Sequence, residues 1–258
     1  MASALDLYLG VIPTAAATCA LVSGLLYFAV MDRLGRIKGK DEPFFYRFYH
    51  WFVRPAVRLL GDAGVTPNAI TAASLLLAGL SAVAIGAQHF MIATWLLVTA
   101  LTCDVLDGEV ARGYNRSTPS GAFFDSVADR IAEGIMFGGI AYWGQGALLT
   151  WVSIATLIAS FAVSYARARS QSLGVDAKVG LMERPARVAA TAFSLFLGAL
   201  GQWLPFESAP AIAYAATTGL LSVVCALTII TAVQRVHHAI TRLDSGAPKD
   251  DAPAIRAA

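Results

Sequence analysis

Charged residues are scarce in this sequence. Only 14% of its 258 residues are Asp, Glu, Lys or Arg, whereas 57% are hydrophobic, and the mean hydropathy is +0.63. A soluble domain usually carries about 25% charged residues, so the composition argues against an ordinary soluble protein. The three cysteines, Cys19, Cys103 and Cys225, show no metal-binding or disulfide spacing. We therefore expect them to be small packing residues.

Long apolar runs fill most of the chain instead. They have the length that crosses the hydrocarbon core of a bilayer, and turn residues such as Pro67-Asn68 and Gly144-Gln145-Gly146 separate them. This pattern predicts an all-α, polytopic integral membrane protein. The seven predicted spans are residues 9–31, 67–87, 90–112, 121–143, 147–169, 186–204 and 211–234.

Basic residues are missing from every second predicted loop. All 19 Lys and Arg residues lie on one side of the predicted topology, and the loops on the other side contain none. Because cytoplasmic loops are enriched in Lys and Arg, we expect a multi-pass protein of the inner or plasma membrane, with its N-terminus outside. The first apolar run has no basic segment before it, so we expect no cleaved signal peptide.

Residues outside the apolar runs divide the chain further. Seven of the nine residues from Phe44 to Phe52 are aromatic, and Arg47, Arg54 and Arg58 recur at helical spacing. We expect residues 41–62 to form an amphipathic helix in the membrane interface, as an anchor or as a gate for a lipid ligand. Residues 1–40 are predicted to be an extra transmembrane helix with a basic linker, residues 63–243 a six-helix domain, and residues 244–258 a disordered cytoplasmic tail.

Four aspartates interrupt the apolar pattern. Asp104 and Asp107 are three residues apart, and Asp125 and Asp129 are four apart, so each pair shares one face of a helix. Consecutive spans run in opposite directions, which lets these four carboxylates meet across the loop at 113–120. Hard divalent cations relieve the repulsion of such a cluster, and oxygen ligands suit Mg²⁺ or Mn²⁺. We expect two Mg²⁺ ions, with Mn²⁺ as the alternative, because two-metal sites suit displacement at phosphorus.

Small and basic residues accompany the aspartates. Gly108 and Gly121 leave room for a ligand close to the backbone, and Arg112, one turn beyond Gly108, can reach a phosphate. Thr66 and Pro67 have the sequence of an ordinary helix start, with Thr66 as N-cap. The alternative is that the aspartates are ordinary acids at helix ends, solvated or paired with arginines. Four aspartates in register with glycine and arginine argue against this alternative.

This segment resembles the signature of the CDP-alcohol phosphotransferases, D-x2-D-G-x2-A-R-x8-G-x3-D-x3-D. All its fixed positions are present, as Asp104, Asp107, Gly108, Ala111, Arg112, Gly121, Asp125 and Asp129. The resemblance implies a homodimeric membrane enzyme with a six-helix catalytic core. Its reaction displaces CMP from a CDP-linked lipid by the hydroxyl of an acceptor alcohol.

The resemblance also implies roles for individual residues. Asp104, Asp107 and Asp125 would be metal ligands, and Asp129 both a ligand and the catalytic base. The nucleotide site would consist of Asn68, Thr71, Gly108, Ala111, Arg112, Thr118 and Gly121.

A second basic segment, residues 164–188, bears on the acceptor. Arg167, Arg184 and Arg187 could together bind a phosphate on the acceptor alcohol. The segment is similar to that of bacterial phosphatidylinositol-phosphate synthases, which have S-Y-x-K-A-R followed by E-R-P-x-R; Arg167 replaces the lysine. This similarity implies CDP-diacylglycerol as donor and inositol 1-phosphate as acceptor. Glycerol 3-phosphate, serine and an archaeal-type ether lipid donor remain open.

Two other classes of function are alternatives. Carboxylates inside membranes commonly mark ion paths, so an ion-coupled transporter is an alternative, although the four aspartates cluster at one membrane face. A prenyl-transfer enzyme would leave Gly108, Arg112 and Gly121 without a role. Glu133 lies one turn deeper than Asp129, and we expect it to pair with Arg130 or another polar partner. We expect membrane lipids as partners and no nucleic acid.

Overall fold

The computed structural model describes residues 44–204 and 207–245, and these residues form helices and turns without a strand. The helices are α1 (Phe44–Asp62), α2 (Pro67–Gly86), α3 (Phe90–Gly113), α4 (Pro119–Gly144), α5 (Leu148–Ser172), α6 (Arg184–Trp203) and α7 (Ala209–Asp244). The predicted span 9–31, residues 1–40 and the tail beyond residue 245 lie outside the described part. The all-α prediction is therefore confirmed for the described ranges.

Four of these helices are long and apolar enough to cross a membrane. They are α2, α3, α5 and α7, which makes the chain a multi-pass membrane protein. Helices α4 and α6 were also predicted as spans, but neither reaches that apolar composition. The reason is visible in their sequences, because α4 contains Asp125, Asp129, Arg130 and Glu133, and α6 begins with Arg184 and Arg187.

The predicted helix boundaries lie close to the observed ones except at the end of the last helix. Helix α7 continues to Asp244, well beyond the predicted end at residue 234. The sequence pattern marks the end of apolar residues, whereas the backbone hydrogen bonds continue through the polar segment that contains Arg235, His237 and His238. The helix is about 54 Å long at 1.5 Å per residue, which exceeds the roughly 30 Å of bilayer hydrocarbon.

The chain divides into two compact units. Among the described residues, the first consists of 44–77 and Trp95–Asp129, and the second of Ala78–Thr94, 130–204 and 207–245. In the first unit, Val53 of α1, Ile70 of α2, and Leu106 and Val110 of α3 form a buried apolar cluster. Cys103 packs against this cluster, in agreement with its predicted packing role.

The second unit is held by helix packing and by hydroxyl groups that bond to neighbouring backbones. Helices α5 and α6 both pack against α7. Thr217 of α7 donates a hydrogen bond to the carbonyl of Ser194 in α6 at 2.9 Å, and Ser81 of α2 donates one to the carbonyl of Ala93 in α3 at 2.8 Å. Such bonds satisfy buried hydroxyls and also join one helix to the next.

Candidate active site

Three of the four predicted carboxylates converge in the first unit. Asp104 and Asp107 lie in the last turns of α3, and Asp125 lies in the second turn of α4. One carboxylate oxygen from each lies within 4.8 Å of the others. Asp129 follows Asp125 by one turn on α4 and is half-buried, outside this group of three.

Asp107 is the most buried of the three carboxylates, with 5% of its surface exposed. The Thr71 hydroxyl of α2 donates a hydrogen bond of 2.6 Å to Asp107 Oδ2. The same hydroxyl lies 3.1 Å from the carbonyl of Pro67, but its single proton can serve only one acceptor at a time. An ionised carboxylate is the stronger acceptor, so Thr71 orients Asp107.

A cavity of about 190 Å³ opens beside these carboxylates. Its walls include all seven residues that the family resemblance assigns to the nucleotide, together with two of the aspartates. They are Asn68, Thr71, Asp107, Gly108, Ala111, Arg112, Thr118, Gly121 and Asp125, joined by Pro67, Arg116, Ser117 and Ala122. Three helices and the turn between α3 and α4 therefore contribute to one concave surface within the first unit.

Two helices begin at this cavity with the same local sequence. Thr66 precedes α2, which begins at Pro67, and Thr118 precedes α4, which begins at Pro119. The Thr66 hydroxyl accepts a hydrogen bond from the Ala69 amide at 3.3 Å, and the Thr118 hydroxyl accepts one from the Gly121 amide at 3.0 Å. The predicted capping role of Thr66 is thus confirmed, and Thr118 repeats it at the next helix start.

The two signature glycines make room for side chains of the pocket itself. A Cβ on Gly108 would lie 3.1 Å from Arg112 Nη1, and a Cβ on Gly121 would lie 3.0 Å from Thr118 Oγ1 and 3.1 Å from Asn68 Oδ1. These distances are shorter than ordinary van der Waals contacts. The glycines therefore let Arg112, Thr118 and Asn68 approach the helix backbones.

Arg112 lies at the rim of the cavity. Its guanidinium bonds to Glu109 one turn earlier on α3 at 2.7 Å, and 67% of its side chain is exposed. Position 109 is variable in the signature, so the motif does not predict this contact. The signal that would have found it is the Glu-Arg spacing of three on one helix face.

The second unit contains the predicted acceptor arginines, and one of them is placed unexpectedly. Arg187 is 0% exposed. Its Nε and Nη2 donate to Glu133 Oε1 of α4 at 2.9 and 2.6 Å, and its Nη1 donates to the carbonyl of Met182 at 3.2 Å. The predicted direct contact of Arg187 with an acceptor phosphate does not fit this geometry, because the guanidinium is enclosed by protein. Arg187 is the polar partner that Glu133 was expected to have.

The remaining basic residues of this unit are less enclosed. Arg167 and Arg184 are half-buried, and Arg167 Nε is a buried donor without a hydrogen-bond partner among the described residues. Arg235 of α7, which the residue-by-residue prediction omitted, is 4% exposed and donates to the carbonyls of Val179 and Val163 at 2.9 and 3.1 Å. It also lies 4.0 Å from Glu183.

Residues 64–239 match the CDP-alcohol phosphatidyltransferase family. The chain belongs to that family. The matched range contains α2 to α6 and most of α7, and it includes every carboxylate and cavity residue described above.

Several relatives share this range. The phosphatidylinositol phosphate synthase of Mycobacteroides abscessus is 31% identical over 192 residues, which is 71% of this chain and 81% of that protein. The phosphatidylinositol phosphate synthase of Corynebacterium glutamicum is 34% identical over 155 residues, 58% of this chain and 71% of that protein. The archaetidylinositol phosphate synthase of Pyrococcus horikoshii is 31% identical over 191 residues, 73% of this chain and 91% of that protein.

The fold is shared with a solved family structure. The phosphatidylinositol phosphate synthase of Mycobacterium tuberculosis with CDP-DAG bound superposes with a TM-score of 0.62 over 72% of this chain and 92% of that one, at 24% identity. The same protein has been solved in complex with manganese and citrate. At this identity the likeness establishes the fold. Family membership makes the chain a transferase of the CDP-alcohol phosphatidyltransferase type, and the acidic cluster marks a divalent metal site.

Proposed function

We propose that this protein transfers the phosphatidyl group of CDP-diacylglycerol to a hydroxyl of inositol 1-phosphate and releases CMP. The observation that carries the proposal is the cluster of Asp104, Asp107 and Asp125, two of which, Asp107 and Asp125, line the same cavity as the predicted nucleotide residues. The named activities of the relatives from Mycobacteroides abscessus and Corynebacterium glutamicum support the acceptor.

The acidic cluster suits a resident divalent metal. Its ligand atoms are all carboxylate oxygens within 4.8 Å of one another, which is the donor type that Mg²⁺ and Mn²⁺ prefer. Asp104, Asp107, Asp125 and Asp129 would hold two Mg²⁺ ions, with Mn²⁺ as the alternative. Bound metal would offset the charge of the donor's diphosphate and make the acceptor hydroxyl more acidic.

Different residues then bind the donor and activate the acceptor. The CDP portion of the donor is held by the nucleotide residues, which are Asn68, Thr71, Gly108, Ala111, Arg112, Thr118 and Gly121. Asp129 takes the proton of the acceptor hydroxyl, whose oxygen attacks the phosphorus that carries the lipid. The bond from this phosphorus to the bridging diphosphate oxygen breaks, and CMP leaves with that oxygen. The new phosphodiester joins the lipid to the acceptor. One proton, taken from the acceptor hydroxyl, is released in addition to CMP.

The acceptor phosphate would be bound by basic residues of the second unit. Arg167 and Arg184 are the residues we assign to it, since both are partly accessible. Arg187 is bonded to Glu133 through two of its nitrogens, so it would contact a phosphate only after leaving that carboxylate. The pair of Arg187 with Glu133 joins the first turn of α6, which also carries Arg184, to α4.

We further propose the membrane arrangement. Six spans form the catalytic domain of residues 63–243, residues 1–40 add one span, residues 41–62 lie in the interface, and residues 244–258 form a cytoplasmic tail. The one-sided distribution of Lys and Arg supports an N-terminus outside the inner or plasma membrane and an active site that faces the cytoplasm. A homodimer is expected from the family resemblance.

A different lipid donor or acceptor would keep the same chemistry. The relative named archaetidylinositol phosphate synthase favours testing an ether-linked donor. Glycerol 3-phosphate also carries a phosphate, so arginines alone do not exclude it, and serine is the acceptor without one.

The test is CMP release by the purified full-length protein in lipid nanodiscs with Mg²⁺. CDP-diacylglycerol and its ether-linked counterpart are each combined with one acceptor at a time: inositol 1-phosphate, free inositol, glycerol 3-phosphate or serine. Asp129→Asn is the inactive control. We expect release only with inositol 1-phosphate. Release with another acceptor alone would overturn the acceptor assignment, and no release with any pair from folded, metal-binding protein would overturn the proposed reaction.

A further inference from the structure

The turn between α3 and α4 is tied to the end of α1 by side-chain hydrogen bonds. The Tyr114 hydroxyl donates to Asp62 Oδ1 at 2.7 Å and lies 3.3 Å from the carbonyl of Arg58. Two residues later, Arg116 donates from Nη1 to the carbonyl of Val65 at 3.1 Å and from Nη2 to the carbonyl of Gly61 at 3.4 Å. These residues lie more than 50 positions apart in sequence, and all belong to the first unit.

The tyrosine ring is also seated by its surroundings. A Cβ on Gly61 would overlap the ring of Tyr114, so only glycine at position 61 lets the ring lie against α1. On the same turn, the Arg116 guanidinium lies 5.4 Å from the centre of this ring, within the range of a cation–π contact. The hydrogen bond to Asp62 raises the pKa of the Tyr114 hydroxyl, which therefore stays protonated and able to donate at neutral pH.

The backbone of the turn has a defined shape. Asn115 has φ of 51°, and the Arg116 amide donates to the carbonyl of Ala111 at 2.8 Å. This is the Schellman arrangement that ends a helix, with the left-handed residue followed by a bond back across the last turn. Tyr114 and Arg116 flank Asn115, and both side chains are bonded to the end of α1. They therefore fix the direction in which the chain leaves α3.

The turn leads directly into the candidate nucleotide cavity. Arg116, Ser117 and Thr118 all line that cavity, whereas none of the described side chains of α1 does so. Thr118 also caps α4 through the Gly121 amide. A shift of the turn would therefore displace one wall of the cavity and the first turn of the helix that carries Asp125.

We propose that Asp62 and Tyr114 are positioning residues of the nucleotide pocket, which they hold by fastening the 114–118 turn to α1. This inference rests on the proposed function, since it takes the cavity to be the site of the cytidine nucleotide. It assigns to α1 a role in donor binding through the turn, without any contact between α1 and the nucleotide. Loss of the Tyr114–Asp62 bond weakens nucleotide binding and leaves the acceptor site unchanged.

The experiment uses full-length protein in nanodiscs with Mg²⁺ and CMP as the probe. Tyr114→Phe keeps the ring on Gly61 and removes only the donated hydrogen bond, and Asp62→Ala removes the acceptor. Asp62→Asn keeps an oxygen acceptor and serves as the rescue variant. Tyr142→Phe is the matched control, because Tyr142 is 72% exposed in the second unit.

We expect the Kd for CMP to rise about threefold to tenfold in Tyr114→Phe and in Asp62→Ala, as for one lost hydrogen bond. The double variant should lose no more than either single variant, since both remove the same bond. The KM for the CDP-lipid should rise in parallel, while kcat and the KM for the acceptor stay within twofold. Amide hydrogen exchange should become faster in residues 114–122 of both variants. Asp62→Asn and Tyr142→Phe should behave as the wild type.

Three outcomes would overturn the inference in different ways. If CMP binds the wild type and the variants with equal affinity, the turn does not position the pocket, whatever its exchange rate. If CMP does not bind the wild type, the proposed function fails and the inference with it. If kcat falls, both KM values rise to the same extent and the unfolding temperature drops, Tyr114 is only a general stabilising contact. This result would also contradict the proposal.

Discussion

Two buried acids, Asp107 in the first unit and Glu133 in the second, are accommodated in opposite ways. Asp107 is 5% exposed and lies within 4.8 Å of two further carboxylates, with the Thr71 hydroxyl as a donor. Glu133 is 2% exposed and receives two guanidinium N–H bonds from Arg187. Glu133 is compensated by a charge of its own chain, whereas the cluster around Asp107 concentrates negative charge.

This difference separates structural from functional charge. Removing one partner of a buried ion pair is costly, because the other charge is then left buried without compensation. A group of like charges is unfavourable for the protein alone and becomes favourable when a cation binds. The comparison therefore predicts that substitutions near Glu133 act mainly on stability and that substitutions near Asp107 act mainly on activity.

The largest effect is expected from breaking the pair in the second unit. Arg187→Met leaves Glu133 buried without its partner and should lower the free energy of unfolding by about 3–5 kcal/mol. Denaturant unfolding of the full-length protein in mixed micelles measures the change. Arg169→Met, at an exposed position near the end of α5, is the matched control and should change stability by less than about 0.5 kcal/mol.

A second variant makes this prediction sharper. Glu133→Leu combined with Arg187→Met replaces the whole pair by apolar side chains and should recover a large part of the lost stability. If the double variant is as unstable as Arg187→Met alone, an uncompensated carboxylate is not the cause of the loss.

The next effect is the loss of activity on neutralising the acidic cluster. Asp107→Asn keeps an oxygen that accepts the Thr71 hydrogen bond but removes one charge, and CMP release should fall by about 100-fold or more because a metal supplies several kcal/mol to such reactions. Removal of metal with EDTA should abolish wild-type activity, and added Mg²⁺ should restore it.

Stability should move in the other direction for the same variant. In EDTA, Asp107→Asn should unfold at the same temperature as the wild type or higher, since like-charge repulsion is reduced. Asp244→Asn, at the exposed end of α7, should change neither activity nor stability. A strong destabilisation by Asp107→Asn would remove the distinction between the two acids.

A smaller effect is expected from the donor that orients Asp107. Thr71→Val preserves the shape of the side chain and removes the hydroxyl, and the metal affinity should fall about tenfold, as for other groups that orient a metal ligand. Thr71→Ser should restore most of it. Thr99→Val, which removes an exposed hydroxyl bonded to its own helix backbone, is the control. Unchanged Mn²⁺ affinity in Thr71→Val, measured by calorimetry, would contradict an orienting role.

The smallest effect concerns the exposed pair at the rim. Glu109→Gln should raise the KM for the CDP-lipid by less than about fivefold, because the Arg112 side chain is 67% exposed and solvent screens the pair. Arg112→Lys tests the other partner, and a double-mutant cycle gives the coupling between them. If the rate of CMP release falls as much in Glu109→Gln as in Asp107→Asn, Glu109 belongs to the acidic cluster itself.

Local features of the first unit follow from sequence pattern. Examples are the spacing of Asp104 and Asp107 on one helix, the Thr-Pro helix starts, and the glycines beside Arg112 and Thr118. Short spacing on a helix determines which side chains share a face. The nucleotide residues came instead from the family resemblance, because their meeting in one cavity depends on distant contacts such as that of Thr71 with Asp107, 36 residues away.

The contacts that sequence pattern missed join distant parts of the chain. Arg187 and Glu133 are 54 residues apart, and Tyr114 and Asp62 are 52 apart. Arg187 is one of several arginines in residues 164–188. Either the positive charge of a cytoplasmic loop or a phosphate-binding pocket would explain why these arginines are present. Neither interpretation predicts the burial of Arg187 beside Glu133, which depends on how α4 and α6 pack.

By itself, the sequence determined a helical membrane protein, its family signature and the residues of the acidic cluster. Helical periodicity and apolar run length are properties of adjacent residues, so they need no tertiary information. Only the tertiary structure decided which acid is bonded to a buried arginine and which acids lie close to one another. That choice depends on distance and solvent exposure across helices, because the energy of a charge in an apolar environment is set by the groups that surround it in space.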